Sequence, residues 1–160
     1  MLVEMSIRGL MIDPATNMPI VILRDAANQR ALPIWVGPVE ANAIALQIEN
    51  VSPPRPMTHD LMRNILAAID ASLIRVVISD LQDSTFYAYL EIHRGGEVLY
   101  VDARPSDAIA LSIRTKAPVF VDTRVLDRAK SVDASTQEDE HDRIQRWLES
   151  LDPDDLGYKM

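Results

Sequence analysis

Cysteine is absent from these 160 residues, which excludes disulfides, thiolate nucleophiles and zinc sites built on Cys. No stretch approaches the run of about 18 apolar residues that a membrane-spanning helix needs. The opening MLVEMSIRG has neither a basic n-region nor an apolar h-region, so no secretory signal is expected and the cytoplasm is the expected compartment. Glycine is sparse, at five residues, and none falls in a phosphate-cradling G-x-x-x-x-G-K-S/T or G-x-G-x-x-G loop. The three histidines, His59, His93 and His141, are far apart and form no H-E-x-x-H pair. Aromatics are few, and Phe86, Tyr87 and Tyr89 are read as core residues rather than a base-stacking set.

Positive charge is also scarce, with a net charge of −8, yet the deficit is uneven. Residues 133–160 hold nine Asp or Glu against three Lys or Arg, whereas residues 1–132 hold 15 against 13. Eleven of those 13 are Arg, whose planar fork of donors suits carboxylates and phosphates. There is no basic stripe, so net charge alone neither supports nor excludes a phosphate-bearing ligand.

What the chain does have is a copy of part of itself. Shifted by 65 positions, VGPVEANAIAL (36–46) falls on VDARPSDAIAL (101–111). The register continues without a gap through Ile48 on Ile113, Pro53 on Pro118, Thr58 on Thr123, Leu61 on Leu126 and Arg63 on Arg128. Ten of the 28 positions from 36 to 63 are identical to their counterparts. This predicts two repeats, about 3–65 and 70–130, within one domain over 1–130. Strands are expected at 3–12, 19–24 and 30–36, then again at 74–81, 85–93 and 97–103. Helices are expected at 38–49 and 105–115, each with Pro near its start. After them come a helix over 58–71 in the first half, and a strand at 118–121 with a helix near 123–130 in the second. Antiparallel hairpins followed by helices, without regular βαβ alternation, give an α+β fold. Residues 131–160 read as an acidic linker, a short amphipathic helix over 138–151 carrying Ile144, Trp147, Leu148 and Leu151, and a tail.

Two polar clusters stand out. In RPMTHD (55–60), Thr58 is a natural N-cap for a helix beginning at His59, and Asp60 in the first turn favours the helix dipole. Capping explains neither Arg55 nor His59, whose ordinary pKa suits proton transfer near neutrality. In ARPSD (103–107), Ser106 and Asp107 occupy another first turn beside Arg104, at a helix start that also suits an anion. Glu40 lies in the first turn of helix 38–49. If the junctions face one another, Glu40, Asp60 and Asp107 converge on Mg²⁺ or Mn²⁺, a carboxylate arrangement that assists phosphodiester cleavage. A triad of Ser106, His59 and Asp60 is disfavoured, because adjacent helical side chains point roughly 100° apart.

LPIWVGPVEANAIAL (32–46), PPRPMTHDLMRNIL (53–66) and ARPSDAIALSIRTKAPVFV (103–121) together resemble the bifunctional nuclease family, a bacterial and plant domain credited with acting on DNA and RNA. The family's strong positions appear here as Glu40, Arg55, Pro56, Thr58, His59, Asp60, Arg104, Pro105, Ser106 and Asp107. The resemblance implies a nuclease with nucleic acid as its partner. On that reading Glu40, His59, Asp60 and Asp107 are catalytic, Glu40, Asp60 and Asp107 hold the metal, and Arg55, Thr58, Arg104 and Ser106 bind substrate. The alternative is a non-catalytic binding or regulatory module for an anionic ligand or a protein partner. Either way a homo-oligomer, most simply a dimer, is expected, because Ile144, Trp147 and Leu148 need burial and small sheet domains leave open edges.

Overall fold

The computed structural model describes residues 1–129 and the backbone of residues 132 and 133. The amphipathic stretch at 138–151 lies outside the described residues. Among the described residues eight strands form one mixed sheet in the order β6-β5-β4-β7-β1-β2-β3-β8. The strands are β1 (Leu2–Ile12), β2 (Pro19–Asp25), β3 (Arg30–Trp35), β4 (Ala71–Gln82), β5 (Thr85–Arg94), β6 (Glu97–Ala103), β7 (Val119–Asp122) and β8 (Val132–Asp133). Among the described residues four helices accompany them: α1 (Pro38–Ile48), α2 (Thr58–Ala68), α3 (Pro105–Thr115) and α4 (Thr123–Arg128). The class is α+β. No helix among the described residues is long and apolar enough to cross a membrane.

Local chemistry sets the strand connections. Gly95 and Gly96 both take positive φ, 56° and 85°, the backbone that a two-residue hairpin between twisted strands requires. At the β1–β2 turn the buried Asp13 carboxylate accepts from the Ala15 N–H, the Thr16 hydroxyl and the Trp35 indole N–H, each at 2.9 Å. That pins the turn to the fully buried Trp35 on β3. The pairing of β7 is non-local: it runs parallel to β4 and antiparallel to β1, so it joins the two three-stranded groups.

Helix α3 is the most enclosed helix. Pro105, Ser106, Ala108 to Ser112 and Arg114 are all buried, and α3 packs on α1, α2, β4 and β5. Helix α1 is less covered, with Leu46 half-buried and Ile48 exposed. Helix α2 starts one residue earlier than its sequence predicts. The N-cap is Met57, not Thr58, because the Asp60 carboxylate accepts from the Met57 N–H at 3.0 Å and closes the first turn from there. The helix also stops at Ala68, since Asp70 adopts a left-handed backbone (φ 56°) and β4 begins at Ala71. Val132 and Asp133, in the stretch read as a linker, add a short strand beside β3.

Phe86 belongs to the core, but Tyr87 and Tyr89 do not. The alternation along β5 sends Phe86, Ala88, Leu90 and Ile92 inward, and Tyr87 and Tyr89 to the opposite face. The expectation that all three are core residues is corrected accordingly.

Candidate functional site

Three helix starts meet at one place. Pro38 and Pro105 each open a helix with no more than two residues between it and the preceding strand, which suits Pro because the missing N–H would be unpaired there anyway. This brings Glu40 and Asp107 into first turns, and packing of α2 on α3 adds His59. His59 Nε2 lies 3.0 Å from Asp107 Oδ1. The Arg104 guanidinium donates through Nε to Asp107 Oδ2 at 2.9 Å and through Nη2 to Glu40 Oε1 at 3.0 Å. The side chain of His59 is 8% exposed and that of Arg104 51%, so the cluster runs from the interior to solvent. The Asp107 hydrogen bond, reinforced by the charge of Asp107 and by Glu40, raises the Arg104 pKa above its usual value.

Gly37 is part of this geometry. Its backbone is ordinary extended chain (φ −68°), but the Glu40 carboxylate folds back into the space that a Cβ at position 37 would occupy. A side chain there meets Glu40 Oε2, so the Glu40 carboxylate has to shift.

Asp60 faces the other way. Its Oδ1 accepts from Arg114 Nε at 2.9 Å, while Arg114 also donates to the Ala110 and Ala43 carbonyls, both at 2.8 Å. Arg114, buried on α3, thereby ties α1, α2 and α3 together. Burial alone raises the pKa of Asp60, but the Met57 N–H and Arg114 outweigh it and hold the carboxyl below the usual range. Sequence reasoning passed over Arg114. The available signal was a lone Arg on the otherwise apolar face of helix 105–115.

The remaining candidates separate. Arg55 is exposed on the Pro-rich loop and lines a cavity of about 210 Å³ with Gln47, Ser52, Asp60 and Arg63. Thr58 is exposed and Ser106 buried. The structure thus brings together Glu40, His59, Arg104 and Asp107, and puts Arg55 and Asp60 at a neighbouring cavity.

The arrangement does not fit a divalent cation as it stands. Arg104 occupies the space between Glu40 and Asp107, and Asp60 is committed to Arg114 and Met57. No group of three His, Asp or Glu residues placed to hold a metal ion occurs among the described residues. What the cluster offers instead is an imidazole whose Nε2 is oriented by a carboxylate, beside an exposed guanidinium. With Nε2–H donated to Asp107, Nδ1 of a neutral His59 carries the lone pair.

Residues 21–134 match the bifunctional nuclease domain, and the chain belongs to that family. Uncharacterized proteins from two strains of Mycobacterium tuberculosis are 40% identical over 162 residues, covering 96% of this chain and 97% of theirs. Bifunctional nuclease 1 of Oryza sativa subsp. indica is 25% identical over 116 residues, covering 71% of this chain but 35% of the rice protein.

Proposed function

We propose that this protein hydrolyses phosphodiesters of DNA and RNA at the cluster of Glu40, His59, Arg104 and Asp107. The hydrogen bond between His59 and Asp107 carries the reading, because it gives the imidazole a fixed orientation for proton transfer. In this scheme Nδ1 of His59 takes a proton from the attacking water as its oxygen bonds to phosphorus, and the P–O bond to the leaving group breaks, its oxygen taking a proton from solvent. Asp107 holds the ring and stabilises the imidazolium as it forms. Arg104 turns its free donors to the phosphate oxygens, where developing charge is met by a fixed cation. Arg55 and Arg63, at the neighbouring cavity, extend the phosphate track, and Thr58 lies exposed at the same helix start.

The test is incubation of the purified protein with single-stranded DNA and RNA, under Mg²⁺, Mn²⁺ or EDTA. His59→Ala and Asp107→Asn, purified identically, control for contaminating nuclease. Cleavage should fall by about 10²-fold or more in both variants. Equal cleavage in all three proteins defeats the proposal. The metal arms decide the role of Mg²⁺ or Mn²⁺: a cation held by Glu40 and Asp107 has to displace Arg104, so any metal response should disappear in Glu40→Gln. No cleavage under any condition, with binding of an anionic ligand retained, returns the protein to the class of non-catalytic modules.

We also propose that the protein acts in the cytoplasm as a homo-oligomer, most simply a dimer. Leu61 and Ile65 on α2 and Ile69 at its C-cap support this, forming an exposed apolar row at the four-residue spacing of a helix-packing face. The two halves are proposed to descend from one duplicated unit. The 65-residue register supports that origin, as do the two hairpins that each run into a Pro-initiated helix. Superposition of residues 18–63 on 83–128 tests it.

A further inference from the structure

Strand β6 ends the sheet among the described residues and is hydrogen-bonded to β5 alone. Such an edge leaves a row of backbone N–H and C=O groups open, and natural sheets blunt it with Lys, Pro, a bulge or a covering segment. EVLYVDA has no Lys or Pro, and its pairing with β5 runs without a bulge. Val98, Leu99, Tyr100 and Val101 are between 42% and 65% exposed. At the opposite end of the sheet β8 pairs with Arg30 and Ala31, the first two residues of β3.

The two faces of β6 differ chemically. Leu99 and Val101 stand opposite Ile92 and Leu90, so they prolong the core face beyond its cover. On the other face Tyr100 stands opposite Glu91, and Asp102 opposite Tyr89. There Tyr87, Tyr89, Tyr100 and Asp102 line an open cleft of about 580 Å³. Tyr89 and Tyr100 meet edge to face, with ring centroids 5.7 Å apart. The other charges in the cleft have ionic partners: Arg75 Nη2 lies 3.4 Å from Glu91, with the guanidinium over the Phe120 ring and its buried Nε left without a hydrogen bond, and Asp80 takes Arg128 at 2.6 Å. Asp102 is exposed and has no ion pair among the described residues.

We propose that β6 accepts an extended, arginine-bearing peptide segment of a partner protein as an added strand. Its backbone completes the open edge. Alternate residues place guanidinium groups among the tyrosines and Asp102, and apolar side chains against Leu99 and Val101. Tyrosine faces attract a cation, and a carboxylate fixes the guanidinium in a charge-assisted pair. Charge decides against the other occupants. A second copy of β6 brings Glu97 and Asp102 and no cation. Residues 134–160 of this chain carry eight Asp or Glu against three Lys or Arg. A nucleic acid strand sets its phosphates against Asp80 and Asp102. The proposal is independent of the nuclease reading, since the cleft shares no residue with the His59 cluster.

The experiment is fluorescence anisotropy of the full chain with a labelled heptapeptide, Thr-Arg-Val-Arg-Val-Arg-Thr. Three probes accompany it: the same peptide with Glu replacing Arg, one with its Arg and Val residues grouped, and a single-stranded oligonucleotide. Saturable binding of the alternating Arg peptide is expected, with protection of β6 amides from hydrogen exchange. Tyr100→Ala should weaken binding by about 2- to 30-fold. Asp102→Lys should abolish it and favour the Glu peptide, and both variants should keep the wild-type circular dichroism because both sites are exposed. Equal binding of the grouped peptide, indifference to Asp102→Lys, or oligonucleotide binding that is lost in Tyr100→Ala in place of peptide binding would each overturn the proposal.

Discussion

Arg104 and Arg114 sit on or beside the same helix, both paired to carboxylates, and the difference between them is burial. The Arg114 side chain is 3% exposed and Arg104 51%. Arg114→Met leaves Asp60 buried without its cation, and should cost about 3–5 kcal/mol in chemical denaturation. Arg104→Ala breaks ion pairs in high dielectric and should cost at most about 1 kcal/mol, while lowering cleavage by about 10²-fold or more. A variant pair showing the reverse pattern would place the working guanidinium at Arg114. Asp60 adds a pH dependence with a defined sign. Its folded pKa is depressed, so its contribution is complete above the unfolded value near 3.8 and is lost as pH falls through the lower folded value. Urea midpoints measured from about pH 6 down to about pH 2 should therefore fall more steeply for the wild type than for Asp60→Asn.

Among the elements, the junction of β3 and α1 carries a prediction of its own. Gly37→Ala meets no backbone obstacle, since φ there is −68°, but its methyl group displaces the Glu40 carboxylate. Cleavage should drop while the thermal midpoint changes little, and Glu40→Gln should reproduce the effect. Full activity in Gly37→Ala would detach Glu40 from the site. Elements of this kind were legible in the sequence because their signals are local. Period-two strands, Gly95-Gly96 and Pro38 or Pro105 after a strand gave their places to within a few residues. The start of α2 was misread because Thr58 is the better capping residue in isolation, whereas Asp60 reaching back to Met57 sets the turn. Tyr87 and Tyr89 were misread because aromatic residues on a strand do not themselves reveal which face is covered.

For the whole molecule, legibility ends where pairing becomes long-range. No local pattern inserts β7 between β4 and β1, and none joins His59 to Asp107, Asp60 to Arg114 or Glu40 to Arg104, which are 48, 54 and 64 residues apart. These contacts depend on how α1, α2 and α3 stack, which follows from burying α3 from several sides at once. That same stacking leaves Leu61, Ile65 and Ile69 outward, at 53%, 50% and 43% exposure. Helix α2 therefore presents an apolar seam on one side and delivers His59 to the cluster at its start. If the seam pairs two copies, association and catalysis share one element. Light scattering at micromolar concentration should then give twice the chain mass of 17.9 kDa. Leu61→Glu with Ile65→Glu should return it to the single value, because carboxylates on facing helices repel and strip the seam of its apolar area. A wild-type mass of one chain would refute the dimer. A dimer that survives both substitutions would move the interface away from α2.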